Sequence, residues 1–280
     1  MNETNKNQFI SAETKKVLEE ETLSNIQTFT NLVDGLRNSI RMLDNADELL
    51  EKPANHNKHE QASEIYHLKR LSEYSLLLGL IWLDITTAYR IYINAKENYE
   101  VIYSIKQLIV TINESYKKIY HYIIDKNENQ KLSKRNESFW VRDIGELLNK
   151  ELPYLLSEYK KITEDLELYI DENLERMKVQ RDLAVHYDNS PSKVYDMLAS
   201  INIESVTIKT IPFMNILLRM FLFSKNILIE YSAVISKRKD DTFSFHYEKI
   251  EKLKLQFANN LQVTEMLNDL QKKLTKFQSK

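Results

Sequence analysis

The stretch RMKVQRDLAVHYDNSP, residues 176–191, lies where two predicted helices meet. A long, highly charged segment leads into it. Asn189 and Ser190 then supply an N-cap, and Pro191 takes the first helical position, where the missing N–H of proline is not needed. The pattern therefore predicts that a long helix ends at about His186 and that a short helix runs from Pro191 to about Ser200.

The composition of the whole chain favours helices. Its 280 residues include only 3 Gly and 4 Pro, against roughly twenty and fourteen in an average protein of this size. Tight turns and hairpins therefore have little material. With 42% hydrophobic and 29% charged residues, the chain is typical of amphipathic helices, and we expect an all-α, multi-helix bundle. The absence of cysteine excludes disulfides, thiolate zinc sites and a cysteine nucleophile.

The first half is expected to be helical from residue 11 to 26, from 28 to 50 and from 60 to 124. Pro53 and the polar residues 55–59 predict a loop, and Gly79 is the expected break in the last of these runs. Residues 125–136 are polar and without periodicity, which predicts a linker. The chain thus divides into a helical half, 1–124, and a second helical half, 137–280, which are either two domains or two parts of one core.

The second half begins with a predicted helix at 138–149 and a long helix from Pro153 to His186. Residues 201–209 alternate between apolar and polar, and we interpret them as an extended connection. An apolar helix is expected to open at Pro212 and run to Ile235. Residues 237–241 predict a charged turn, and residues 244–277 predict a final amphipathic helix.

The apolar helix at 213–235 favours a bundle over a membrane span. Four polar residues recur on one face at intervals of four, seven and four: Asn215, Arg219, Asn226 and Glu230. The N-terminal residues contain no apolar signal segment, so a cytoplasmic location without membrane contact is expected. The 39 basic and 41 acidic residues are interspersed, and they create no strong field that would recruit nucleic acid.

Several kinds of site do not fit the sequence. The glycines Gly35, Gly79 and Gly145 are isolated, which excludes a glycine-rich phosphate loop. Glu64 and His67 form one Glu-x-x-His pair, whereas di-iron bundles need two. We therefore expect neither a metal nor a cofactor. A polar face at Arg90, Asn94 and Glu97 is interpreted as a solvated or ion-paired surface.

Chemistry is concentrated in residues 181–188, where Arg181, Asp182, His186, Tyr187 and Asp188 fall within eight positions. Arg181 and His186 lie within one and a half helical turns, so both can reach one phosphate. Histidine exchanges protons near neutral pH, and arginine stabilises developing phosphoryl charge by bidentate hydrogen bonding. Asp182 can orient either partner. This set suits metal-free RNA cleavage, in which the 2′-hydroxyl attacks the adjacent phosphorus.

Arg181-Asp182-Leu-Ala-Val-His186 resembles the R-x4-6-H motif of the HEPN superfamily of all-helical proteins. Ala184, Tyr187 and Asp188 are similar to the surroundings of that motif in abortive-infection members. The resemblance implies a homodimeric bundle with two facing motifs, often a metal-independent endoribonuclease of phage-defence or toxin–antitoxin systems. Arg181 and His186 would then be catalytic with Asp182 in support, and Tyr187 and Asp188 would contact substrate. RNA, a second copy and a protein partner are the expected partners.

Two alternatives stay open at this point. In a purely structural interpretation, Arg181 pairs with Asp182 or Asp188, and His186 caps the C-terminal end of its helix. The protein would then be a non-catalytic helical interaction or scaffold protein, with amphipathic faces that serve partners or self-association.

Overall fold

The computed structural model describes residues 12–50, 59–120, 138–186, 191–200 and 203–278, and in these ranges it contains helices and short connections but no strand. The predicted all-α class is confirmed. The α-helices are α1 (Ala12–Leu50), α2 (His59–Asn94), α3 (Asn98–Tyr120), α4 (Glu146–Glu151), α5 (Leu156–His186), α6 (Pro191–Ser200), α7 (Ile203–Gln256) and α8 (Leu261–Gln278). A π-helix, Phe139–Gly145, precedes α4, and a 3₁₀ turn, Pro153–Leu155, precedes α5.

The junction around residues 186–191 has the predicted boundaries, with α5 ending at His186 and α6 beginning at Pro191. The helix expected from residue 138 is also present. Ser138 is its N-cap, since the hydroxyl oxygen accepts a hydrogen bond from the backbone N–H of Val141 at 3.2 Å. The N-cap predicted at Asn189 and Ser190 lies outside the described residues.

Helix boundaries in the first half differ from the prediction. Residues 12–50 form one helix without an interruption at Thr28, and the break in the second run comes at Ala95–Glu97 rather than at Gly79. The carboxylate of Glu100 accepts a hydrogen bond from the backbone N–H of Glu97 at 3.1 Å. This is half of a capping box. On the predicted polar face, Asn94 donates to the carbonyl of Arg90 at 3.2 Å, and Glu97 lies beyond the end of α2.

The extended connection predicted at 201–209 is wrong where the structure describes it, because α7 is helical from Ile203. Its buried residues recur at helical intervals: Val206, Thr210, Phe213, Leu217 and Met220. This burial outweighs the local alternation. Pro212 lies inside α7 rather than at its start, and it leaves the carbonyl of Ile208 without its helical donor. Ile208 is exposed, so water can reach that part of the helix.

The predicted turn at 237–241 is also wrong, because the charged residues there lie on α7 as an exposed helical stretch. The helix predicted at 244–277 is interrupted at Phe257–Asn260. Asn260 directly precedes α8, and its side-chain oxygen accepts a hydrogen bond from the backbone N–H of Val263 at 3.3 Å. An asparagine N-cap therefore marks the start of a separate helix.

The chain forms two compact units, one extending to Leu228 and one from Ile229 onward. The linker predicted at 125–136, the loop predicted around Pro53 and the N-cap predicted at Ser11 lie outside the described residues. The division into halves at 1–124 and 137–280 stays a prediction.

Aromatic packing organises the first unit around Trp140 of the π-helix. Trp140 is fully buried and stacks on Tyr159 of α5 at 4.8 Å between ring centroids. Its indole N–H donates to the hydroxyl of Thr163 at 2.8 Å, and Tyr159 donates to the Trp140 carbonyl at 3.1 Å. The π-helix is thus fixed against α5, which carries the predicted site at its far end.

Candidate functional site

Arg181, in the second-to-last turn of α5, is bound by two carboxylates. One terminal nitrogen donates to Asp182 at 2.6 Å, and the other donates to Glu114 of α3. The pKa of Arg181 is raised by the hydrogen bond to Asp182 and, against some burial, by Glu114. The structural interpretation predicted the pair between Arg181 and Asp182, and that pair is confirmed.

Glu114 connects this ion pair to a second cation. Lys117, one turn further along α3, donates to the same carboxylate oxygen at 3.0 Å. Burial alone would raise the pKa of Glu114, but the hydrogen bonds and charges of Lys117 and Arg181 outweigh burial and lower it. Glu114 is therefore ionised at neutral pH and holds Arg181 against α3.

The Arg181 side chain is only 20% exposed, and its Nε is buried without a hydrogen-bond partner among the described residues. Leaving a buried donor unpaired is unfavourable. The guanidinium group thus has two terminal nitrogens bound to carboxylates and one N–H that no described group satisfies.

His186 is the last residue of α5, and its backbone is helical. Its side chain, like all of Tyr187 and Asp188, lies outside the described residues. On an α-helix, residues five apart are separated by about 7.5 Å along the axis and about 140° around it. Asp182 thus lies beside Arg181, whereas backbone positions 181 and 186 are on different sides of the helix.

A second polar cluster, missed by the sequence analysis, surrounds Asp143 in the π-helix. Its carboxylate side chain is 5% exposed, and it pairs with the guanidinium groups of Arg70 and Arg142, both at 3.0 Å. Tyr66 donates to the same carboxylate at 3.2 Å. Burial favours the protonated form, but the two arginines outweigh it and lower the pKa of Asp143. π-Helices often occur at functional sites.

Arg70 is the centre of this cluster. Its guanidinium carbon lies 3.7 Å from the ring centroid of Phe139, and it also donates to Glu73 at 2.8 Å. His67 lies on the preceding turn. Burial, and secondarily the charge of Lys150, lowers the pKa of His67. The cluster joins α2 to residues more than 70 positions away, and no local sequence signal predicts such a contact.

The described ranges contain no cluster that could hold a metal ion, but they contain two long apolar segments. No three His, Asp or Glu side chains there are placed to hold a metal ion. Two segments, Ala62–Asn94 and Ser205–Gln256, are long and apolar enough to cross a membrane by length and composition. In each, 44% of the most apolar window is buried inside the chain, as in core helices of bundles, which pass the same test.

Comparison with known proteins adds no relative. No protein-family model, curated protein or solved structure matches the chain. Inferences about function therefore depend on the residues and their geometry.

Proposed function

We propose that this protein is a HEPN-like, metal-independent endoribonuclease with Arg181, Asp182 and His186 at its active site. The main support is the position of Arg181: ion pairs to α3 and to Asp182 fix its guanidinium group near the end of α5, five residues before His186. Positioned cationic groups are the main requirement for stabilising phosphoryl charge.

The proposed reaction needs one base, one acid and one cation. His186 takes the proton of the ribose 2′-hydroxyl, and the 2′-oxygen forms a bond to phosphorus. The bond from phosphorus to the 5′-oxygen breaks, and that oxygen takes a proton from a water molecule, whose hydroxide removes the proton from His186. The products are a 2′,3′-cyclic phosphate and a 5′-hydroxyl. Arg181 binds the phosphate oxygens as charge increases on them, and Asp182 orients Arg181.

A second copy of the chain is part of the proposal. Because the directions at 181 and 186 differ by about 140° on one helix, Arg181 of one copy and His186 of the other are the simplest pair to approach one phosphate from two sides. We therefore propose a homodimer in which two α5 ends face each other, and in which Tyr187 and Asp188 contact the RNA.

Substrate binding must compete with two carboxylates for Arg181. Each terminal nitrogen already donates one hydrogen bond to a carboxylate, and the negative charges of Asp182 and Glu114 would repel a phosphate, so binding is favoured when one of the two carboxylates moves away. Since the Glu114 side chain is 42% exposed and also contacts Lys117, it can move away while keeping a cationic partner.

The same ion pairs favour a second candidate function. If Asp182 and Glu114 never release Arg181, the residue serves only to join α5 to α3. The protein is then a non-catalytic helical interaction or scaffold protein. Residues such as Leu255, Leu261 and Met266 in the second unit are well exposed, and exposed apolar side chains of this kind suit a partner helix.

The test is cleavage of a mixed single-stranded and structured RNA panel in EDTA by wild type, Arg181→Ala and His186→Ala. The matched control is Arg219→Ala, which removes another arginine bound to two α5 carboxylates, Asp165 and Glu158. We expect wild type and Arg219→Ala to release 2′,3′-cyclic phosphate ends and the other two variants to lose at least about a hundredfold in rate.

The outcome separates the two candidates. If all four proteins melt alike and none cuts RNA, or if Arg181→Ala cuts as well as wild type, the nuclease proposal is wrong. Sedimentation of wild type at several concentrations then tests the scaffold candidate through its self-association.

A further inference from the structure

The exposed side of α7 has a mainly apolar seam with the period of a coiled coil. Its residues follow one another at alternating intervals of three and four: Ile208, Ile211, Asn215, Leu218 and Leu222. In a heptad repeat these are positions a and d in turn. Ile208, Ile211 and Leu222 are 72%, 51% and 54% exposed. The seam extends over two heptads within the first unit and ends before Lys225, which takes the next d position.

The seam lies opposite the buried side of the same helix. Position f of the repeat points into the bundle, and its residues are all buried: Val206, Phe213, Met220 and Ile227. At 100° per residue, position f is about 170° from the middle of positions a and d. A helix that is apolar on both sides is normally covered on both sides. The described chain covers α7 on the f side and leaves the seam open.

Asn215 indicates which kind of partner fits the seam. A single asparagine at position a of a parallel, two-stranded coiled coil faces its equivalent, and it fixes the register and the number of strands. Equivalent positions of the two helices meet in the same way along the rest of such a pair. Positions a and d from 208 to 222 contain no charged residue, so two copies would not repel each other there. The seam is therefore complementary to itself.

The border of the seam is charged, which disfavours a lipid surface as its cover. Arg219, at position e, pairs with Asp165 and Glu158 of α5, and these three side chains are between 41% and 48% exposed. A bilayer that covered the seam would have to dehydrate these groups and the amide of Asn215, which is costly. The rim of a protein interface stays hydrated, so the same ion pairs are compatible with a second chain.

We infer that two copies of this chain pair through the α7 seam, as parallel helices in register with the two Asn215 side chains beside each other. The helix is already formed in each copy, so pairing does not have to order it. Pro212 lies at position e, on the border, where the carbonyl that it leaves unpaired stays open to water. Because two heptads extend over only about 21 Å, we expect a weak, micromolar dimer.

The parallel orientation has a consequence for α5. Tyr169 of α5 packs on Phe213 of α7 at 5.4 Å between ring centroids. Asp165, one turn earlier on α5, pairs with Arg219, which is later on α7, so the two helices are antiparallel. The end of α5 that carries Arg181 thus lies towards the beginning of α7. Parallel pairing would bring both α5 ends to one end of the dimer. That use rests on the nuclease proposal, whereas the dimer is inferred from the seam alone.

Sedimentation velocity of the full chain at increasing micromolar concentrations measures the dimer. We expect wild type to shift from monomer to dimer. Ile211→Glu and Leu222→Glu should each raise the dissociation constant at least about tenfold, because two like charges would then meet in the seam. Leu168→Glu is the matched control, since it adds the same charge at a 59% exposed leucine of α5 outside the seam. The replaced side chains are exposed, so circular dichroism should show the helix content of wild type in all variants.

Disulfide formation tests the orientation, because the chain has no cysteine of its own. In a parallel pair in register, positions 211 and 222 each meet their own equivalent. Ile211→Cys and Leu222→Cys should therefore both form linked dimers under mild oxidation at least about tenfold faster than Leu168→Cys does. In an antiparallel pair, at most one of the two positions can meet its equivalent.

The inference is overturned if wild type stays monomeric, if the two glutamate variants of the seam associate as strongly as wild type, or if Ile211→Cys and Leu222→Cys do not both cross-link faster than Leu168→Cys. Flotation of monomeric wild type with phosphatidylcholine vesicles, lost in the same glutamate variants, would assign the seam to lipid instead. RNA cleavage is scored separately. A seam dimer that cuts no RNA contradicts only the nuclease proposal, and cleavage by a chain that does not pair through α7 contradicts only this inference.

Discussion

Arg181 of α5 donates a hydrogen bond to the carboxylate of Glu114 on α3, across 67 residues of chain. This contact fixes the orientation of the guanidinium group, and it also neutralises part of the charge that a phosphate would need. The same ion pair thus positions the predicted catalytic arginine and competes with its proposed substrate.

Replacing Glu114 by Gln tests that competition. The amide keeps the shape of the side chain but removes one negative charge beside Arg181, so we expect single-stranded RNA to bind several-fold more tightly. The cost in stability should not exceed about 1 kcal/mol, because the pair is partly exposed. Fluorescence anisotropy of a labelled RNA and urea unfolding measure the two effects.

The control for this experiment is Glu158→Gln. It removes an exposed carboxylate of α5 that pairs with Arg219 of α7. RNA affinity should not change in that variant. Unchanged or weaker RNA binding by Glu114→Gln would mean that Arg181 is not released for a phosphate, and would favour the scaffold candidate.

Asp143→Asn is expected to destabilise the protein strongly. The Asp143 side chain is 5% exposed and pairs with Arg70, which is only 21% exposed. Removing its charge leaves Glu73 as the carboxylate that pairs with Arg70 among the described residues, and we expect a loss of about 2 to 3 kcal/mol in the free energy of unfolding. Asp165→Asn is the control, because its carboxylate is 47% exposed. Equal effects of the two variants in urea unfolding would contradict the importance of burial.

His67 predicts a pH dependence of stability. Its pKa is lowered in the folded protein by burial, with a further contribution from Lys150, so folding favours the neutral imidazole. The contribution of His67 to the free energy of unfolding is fully present above the pKa of about 6.5 in the unfolded chain. It decreases as the pH falls from there through the lower pKa of the folded protein. Unfolding free energies at pH 7.5 and 5.5 should therefore differ less in His67→Gln than in wild type.

The reference variant for this pH experiment is His246→Gln, at an exposed position of α7. Its pH dependence should equal that of wild type. If His67→Gln shows the wild-type difference between the two pH values, the half-buried imidazole of His67 does not carry the effect.

Substitution by alanine is expected to have opposite effects on stability at two glycines. Gly35 is exposed on α1, and a Cβ there would meet nothing within 4 Å, so Gly35→Ala should stabilise the protein by up to about 1 kcal/mol through helix propensity. At Gly79, a Cβ would lie 2.9 Å from Cγ2 of Val33. Because valine is stiff at χ1 in a helix, Gly79→Ala should lower the melting temperature.

A double substitution checks the cause at Gly79. Val33→Ala removes the opposing methyl groups, so adding Gly79→Ala to that background should no longer be destabilising. A lower melting temperature in the double variant than in Val33→Ala alone would contradict the steric explanation.

The sequence predicted those features that depend on neighbouring residues. The scarcity of glycine predicted the helical class, and the local pattern around residues 138 and 191 predicted helices that begin there. Neighbouring residues did not predict that α7 continues across Pro212. Burial of Val206, Thr210 and Phe213 stabilises α7 there, and that burial depends on the rest of the bundle.

The same distinction applies to the candidate sites. The pair between Arg181 and Asp182 joins neighbours, and the sequence predicted it. The contacts of Arg181 with Glu114 and of Arg70 with Asp143 join distant helices, and one sequence contains no signal for either.

The π-helix at Phe139–Gly145 makes this part of the chain sensitive to its length. Deleting a single residue there would allow an ordinary α-helical turn to form, and it would rotate everything after the deletion by about 100° relative to what precedes it. Either Asp143 would leave Arg70 or Leu147 and Leu148 would leave the core, where both are buried. During evolution, substitutions within this segment should therefore be accepted far more often than insertions or deletions.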